Sequence, residues 1–277
     1  MDKIQLICDT TGGFSQEELQ SLNIKTLPLS VNFSDGTTLV EGTRETYLSY
    51  YTKLNTLEQL PTTSQPPVGI VCEAFEQALQ EGDQVIAISL SHGLSGTYSS
   101  FMTAADMIDP DRISVVDSLS CSVSIKFLAR IARKLIDAGK SRLDIVHELN
   151  AQAKRSDAIM FVDDLKFLKK GGRVGNLSFF VGKLLHIHPI LMMKDGYLVA
   201  HDKVRGMRAV FDRMIRELPD KLKYLTVLHC ANEAGALGCI EKLRARFRDS
   251  IEIELEDLSP VIGTHLGNGS VGIIYCW

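Results

Sequence analysis

Short apolar runs alternate with stretches of helical spacing along the first 165 residues or so. Lys3–Cys8 alternates apolar and polar positions and ends at Asp9-Thr10-Thr11-Gly12-Gly13, after which Ser15 caps a helix reaching Leu22. Val85–Leu90 is a continuous apolar run of strand length. His92–Gly96 then forms a loop, and Thr97–Ile108 carries helical spacing up to Asp109-Pro110. The unit recurs with a strand over Ile113–Val116, a helix from about Cys121 to Ala138 closed by Gly139, a helix over Leu143–Lys154 and a strand over Ile159–Val162. Strands that alternate with helices predict a parallel sheet built by right-handed crossovers and covered on both faces.

After about residue 165 the rhythm changes. Leu191-Met192-Met193, Lys194-Asp195-Gly196 and Tyr197-Leu198-Val199 read as a hairpin with an Asp-Gly turn. Helices follow over Met207–Leu218 and Glu233–Arg248, with strands over Tyr224–His229, Ile251–Leu255 and Val271–Tyr275. The fold class expected is α/β in two domains. Residues 1–164 form a three-layer α/β/α domain on a parallel sheet, and residues 165–277 form a two-layer α+β domain on a mixed sheet. The joint falls within Asp163–Arg173, where a charge cluster meets a glycine pair.

Charge distribution adds a feature that the periodicity does not. The 277 residues carry 30 Lys+Arg against 34 Asp+Glu, a formal charge of -4, so no global excess calls for a polyanionic partner such as nucleic acid. Yet Gln84–Ala105 and Leu258–Trp277 contain no Asp, Glu, Lys or Arg over 22 and 20 residues. Neither reads as a membrane span, because Ser89, Ser91, His92, Gly93, Ser95 and Gly96 interrupt the first and Gly263, Thr264, His265 and Gly267–Ser270 the second. They suit an uncharged polar binding site inside a folded core. The amino terminus has no cleavable signal pattern, which implies a cytoplasmic location. Six dispersed cysteines without a C-x-x-C pair read as free core thiols.

Several chemical motifs fail on inspection. Gly267–Gly272 spells G-x-G-x-x-G, but only five residues follow, too few for the helix and acidic residue of a dinucleotide site. Gly182-Lys183 lacks the spacing and the Ser/Thr of a phosphate loop. Gly93-Leu94-Ser95-Gly96 is one residue short of a nucleophile elbow, and His186-x-His188 lacks a third metal ligand. What remains is a set of hydroxyls at predicted helix starts. Ser95 precedes one helix, and Thr63 and Ser64 precede another over Val68–Leu79. Each alone reads as a helix cap worth about 1 kcal/mol. Together, at the loop edge of a parallel sheet and without nearby charge, they suit one small anionic group.

Five segments in order resemble the DegV-like proteins. They are Asp9-Thr10-Thr11; Thr63-Ser64-Gln65-Pro66; Leu94-Ser95-Gly96-Thr97-Tyr98; Lys170-Gly171-Gly172-Arg173 through Pro189-Ile190-Leu191 to Lys203-Val204-Arg205; and Thr264-His265-Leu266-Gly267. The resemblance implies two domains, no cofactor and a long-chain fatty acid in an internal tunnel. It further implies a bacterial, non-catalytic lipid-binding role, in which the acid is presented to a fatty acid kinase that makes an acyl phosphate for phospholipid synthesis. Carried onto this chain, Thr63 and Ser95 bind the carboxylate, with His265 and Arg205 close by and Ser64, Gly96 and Thr97 beside them. Phe179-Phe180, Leu184-Leu185, Ile190-Leu191 and Ile273-Ile274 are the tunnel candidates. Lys169, Lys170, Arg173, Lys203 and Arg205 would form a basic patch at the mouth.

The chain departs from the family pattern at Thr10, Pro67, His188 and Asn268, where Ser, Ser, Lys and Pro are usual. Pro67 is expected to shift the cap of its helix back to Ser64, and His188 bears on which partner is served. Two rival readings belong to other classes. One is a serine esterase with Ser95 as nucleophile, His265 as base and Asp9 or Asp117 as orienting carboxylate, although that chain order fits no common hydrolase. The other is a sensor of a small polar metabolite.

Overall fold

The computed structural model describes residues 3–54, 56–175 and 187–277. In chain order the first part runs β1 (Ile4–Asp9), α1 (Gln16–Ser21), β2 (Ile24–Leu27), β3 (Ser30–Asn32), β4 (Thr38–Val40), α2 (Tyr47–Leu54), β5 (Thr62–Ser64), α3 (Val68–Glu81) and β6 (Gln84–Ser89). It continues with α4 (Thr97–Ile108), β7 (Ile113–Asp117), α5 (Val123–Asp137), α6 (Arg142–Ala153), β8 (Ser156–Phe161), α7 (Leu165–Gly171) and β9 (Val174–Gly175). The remainder is β10 (Ile187–Lys194), β11 (Tyr197–Arg205), α8 (Met207–Arg216), β12 (Tyr224–His229), α9 (Glu233–Phe247), β13 (Glu254–Asp257), α10 (Pro260–Leu266) and β14 (Val271–Cys276).

The parallel sheet has strand order β2-β1-β6-β7. Alternate side chains of its buried strands serve two cores. Ile7, Val85 and Ala87 pack with Phe75 of α3 and Phe101 of α4, whereas Leu6, Cys8, Ile86 and Ile88 pack with Leu128 and Ala129 of α5. This is the three-layer arrangement expected. The second sheet is mixed, with order β13-β12-β14-β8-β10-β11-β9, and α8 and α9 cover one face. Asp195 and Gly196, both at positive φ, make the two-residue turn of the β10–β11 hairpin.

Two expectations need correction. β8 continues the strand–helix rhythm but pairs antiparallel with β14 and β10, so it belongs to the mixed sheet; sheet membership changes across α6, upstream of residue 164. A third sheet, β4-β3-β5, was not visible as a pattern, because three-residue strands are too short to show periodicity. It takes in Thr63 and Ser64. Ser64 therefore does not cap α3: Pro67 holds that position without a side-chain bond, and Ser64 Oγ accepts from Asn32 Nδ2 at 2.5 Å.

All six cysteines are unpaired, and five are buried. Gly267 and Gly269, both at positive φ, turn the chain from α10 into β14, which explains the G-x-G spelling without a nucleotide.

Candidate functional site

Where the loops after β6 and β7, the strand β5 and the helix α10 meet the mixed sheet lies a cavity of about 270 Å³. Its walls come from both charge-free runs, with Leu90, Leu94, Ser95 and Gly96 from the first and Val261, Ile262, His265, Leu266 and Gly272 among those from the second. The mixed sheet adds Ala158, Met160, Met193, Leu198 and Leu228. Among the described lining residues only Arg173 carries a formal charge.

The polar groups gather at one place because three elements end there. β5 stops where Gln65 meets Pro66-Pro67, since a residue before proline is held extended and Pro67 has the φ that opens α3. Thr63, just before, lies 2.8 Å by Oγ1 from His265 Nε2 on α10. The loop after β6 folds back through Leu94 and Ser95 N–H bonds to Ser91 O, which sets Ser95 before α4. Ser95 Oγ accepts from Thr97 N at 3.3 Å and lies 2.9 Å from Thr97 Oγ1. Gly96 is the cap residue of α4, and its missing side chain leaves the space that the Gln65 side-chain amide occupies.

The Asp9-Thr10-Thr11 segment anchors this geometry from behind. Asp9, fully buried, accepts from Leu90 N at 2.5 Å, fixing the strand end that feeds the Ser95 loop, and burial pushes its carboxyl up to about 6. Thr10 Oγ1 donates to Glu41 at 2.8 Å, and Glu41 in turn accepts from Val261 N at the start of the helix that carries His265. Burial raises Glu41 to about 7. Glu41 gave no signal in the sequence, since one Glu beside a glycine looks like any surface turn.

His265 is held down to about 4, first by burial and then by the Arg173 guanidinium, so its imidazole is neutral at pH 7. Its Nδ1 is buried without a partner, against Gly171. If Nε2 carries the proton, it donates to Thr63 Oγ1 and frees the Thr63 hydroxyl to donate outward. Ser95 Oγ likewise receives from Thr97 N, and with Thr97 Oγ1 as the donor of their hydroxyl–hydroxyl bond its own proton is free to donate outward. The site can therefore offer two hydroxyl donors backed by further donors, with one guanidinium nearby, which is chemistry for a single carboxylate.

Thr63, Ser64, Ser95, Gly96 and His265 thus line one cavity, and Thr97 is bonded to Ser95. Arg205 lies elsewhere. It is exposed at the far end of β11, seven residues from the lining residue Leu198, about 23 Å along an extended strand. Arg173 occupies the place expected of it, donating to Gly171 O. Lys203 and Arg205 accordingly do not share a patch with Lys170, which bonds to Leu60 O. Ile273 and Ile274 line the cavity, Ile190 and Leu191 do not, and Phe179-Phe180 and Leu184-Leu185 lie outside the described residues, as does His186. His188 stacks edge-on to Phe161, a side chain of the face covered by α8 and α9, and does not line the cavity.

The esterase geometry is not assembled. His265 bonds to Thr63 rather than Ser95, Asp9 bonds to Thr11 and Leu90, and Asp117 pairs with His92 at 2.6 Å. Among the described residues no group of three metal-ligating side chains occurs, and no helix is long and apolar enough to cross a membrane.

A family model described as the DegV family of uncharacterised proteins matches residues 3–277. A DegV domain-containing protein of Halalkalibacterium halodurans is 35% identical, covering 99% of this chain and 98% of the relative. The crystal structure of DegV from Bacillus subtilis, described as a fatty acid binding protein, superposes with a TM-score of 0.88 at 33% identity, covering both chains fully. A fatty acid binding DegV family protein from Streptococcus agalactiae gives 0.90 at 27% identity, covering 100% of this chain and 99% of that one. With the fold, the hydroxyl-lined cavity and the match over the whole described length, the chain belongs to the DegV family.

Proposed function

We propose that this protein binds a long-chain fatty acid, with the carboxylate at the hydroxyls of Thr63 and Ser95 and the alkyl chain in the cavity. The observation that carries this reading is the lining itself: mostly apolar, with one charged residue and a cluster of hydroxyl donors beside it among the described residues. A fatty acid carboxylate is ionised at pH 7, and each charge-assisted hydrogen bond contributes roughly 1.5 to 3 kcal/mol. A chain of some 14 methylenes adds on the order of 11 kcal/mol before the cost of association. Arg173 supplies long-range attraction, and His265 acts by holding Thr63 in donor orientation.

The role is that of a carrier rather than an enzyme. A fatty acid kinase is the partner that fits, since a carboxylate held by two hydroxyls at the mouth of the cavity stays within reach of an external phosphoryl donor. Lys169, Lys170 and Arg173 are the residues for such docking at this end. The fatty acid-binding descriptions of relatives from B. subtilis and S. agalactiae support the ligand class.

Mass spectrometry of material released from the denatured protein tests the reading. A stoichiometric C14 to C18 fatty acid is the expected result, and a polar metabolite or an empty site refutes it. Thr63→Ala and Ser95→Ala should each weaken fatty acid binding about tenfold or more with little loss of fold. Wild-type occupancy in the double variant would refute the assignment of these two hydroxyls.

A further inference from the structure

Gly272 stands in the interior of β14, paired with Leu228 of β12 on one side and Met160 of β8 on the other. A glycine in the middle of a central strand loses entropy on folding and packs nothing, so it calls for a reason. Other glycines in the same run have one. A Cβ at Gly263 would meet Tyr51 Oη at 2.2 Å, and Gly267 has φ +79°. Gly272 has neither. Its φ is outside the left-handed region, and a Cβ would meet nothing closer than Met160 Cβ at 3.4 Å, an ordinary contact.

Direct cross-strand neighbours share a face. Leu228 and Met160 both line the cavity, so a side chain at 272 would project into that space. Resting on the fatty acid reading above, we propose that Gly272 is a specificity-determining residue: the missing side chain leaves room for the alkyl chain, and what stands at 272 sets the longest or bulkiest chain accepted. Met160, beside it, is the matching adjustable wall, since an unbranched thioether accommodates several shapes.

The test is a series, Gly272→Ala, Gly272→Val and Gly272→Leu, each checked for a cooperative melt and assayed by displacement of a fluorescent fatty acid with C12, C14, C16 and C18 saturated acids. Preference should move stepwise toward shorter chains, with C18 binding in Gly272→Leu about tenfold or more weaker relative to C12 than in the wild type. Met160→Ala added to Gly272→Val should restore C18 binding. If the larger side chains prevent folding, Gly272→Ala, which adds one methyl at an ordinary contact distance, still gives the direction of the shift. An unchanged chain-length profile in folded variants overturns the inference alone, as does loss of all chain lengths equally. A wild-type protein that binds none of the four acids overturns the fatty acid reading and the inference with it.

Discussion

The two faces of the mixed sheet use the same strands but are held in different ways. Toward α8 and α9, Ile159, Phe161, Ile190 and Val227 pack with Val210, Met214, Ile240 and Leu243 into a filled core. Toward the parallel sheet, Ala158, Met160, Met193, Leu228 and Gly272 bound a cavity. That hollow side is fastened around its edge by polar contacts. Lys126, fully buried on α5, sits 2.8 Å from Glu256 of β13 and 3.0 Å from Glu18, and Arg130 ties Glu18 to Glu254. Glu41 joins Thr10 to the start of α10. Apolar packing cannot both fill a space and leave it open for a ligand. Directional bonds at the periphery hold the walls apart without occupying the middle.

If this contrast holds, breaking a peripheral tie costs more than emptying the hollow. Lys126→Ala leaves Glu256 buried without its principal cation and should lower stability by about 3–5 kcal/mol in denaturant unfolding. The loss should be larger at pH 8 than at pH 5, because burial already raises the Glu256 carboxyl and removal of Lys126 raises it further, so low pH lets it take up a proton. A loss below about 1 kcal/mol would mean that the ion pairs do not hold this side.

The second comparison uses one residue type on two faces. Ile159→Ala, in the filled core, should cost about 4 kcal/mol, and Ile274→Ala, on the cavity wall, about 2 kcal/mol in lipid-free protein. Equal costs would erase the distinction. A third concerns Glu41, whose buried carboxyl is raised to about 7 from an ordinary value of 4.5. The folded state then binds the proton that the unfolded state releases, so stability falls as pH rises from about 4.5 to 7. Glu41→Gln should remove most of that fall, on the order of 3 kcal/mol, in unfolding measured across the range.

The smallest effect sits at the mouth. His265 should titrate near 4 by NMR, and its stability contribution is present above pH 6.5 and lost as pH falls toward 4. A bound carboxylate should raise that midpoint, since a nearby anion favours imidazolium. A midpoint at 6.5 in lipid-free protein would show that the ring is not buried against Thr63.

The strand–helix rhythm made the three-layer half legible, and the helix over Thr97–Ile108 has the bounds its spacing predicts. The two charge-free runs pointed to the cavity walls because a site for one anion tolerates few other charges. Arg205 could not be separated from Arg173 in sequence, since both follow Lys-containing motifs and only strand length sets them far apart. β8 looked like one more parallel strand because helix-covered strands read alike whichever neighbour they pair with. Gly272 hid among turn glycines, and its meaning depended on which cross-strand partners faced the void.

The place of β8 has a consequence for how the molecule comes into being. Its register joins Ser156 to Cys276 and Phe161 to Val271, so this strand pairs with one made more than a hundred residues later. Without β8 the seven-stranded sheet falls into two three-stranded pieces, β13-β12-β14 and β10-β11-β9. Such long-range closure is slow and leaves apolar strands exposed while it waits. The cavity has walls on β8 and β14 alike, so it exists only after that closure, and a nascent chain lacking β14 has no pocket in which to capture a ligand.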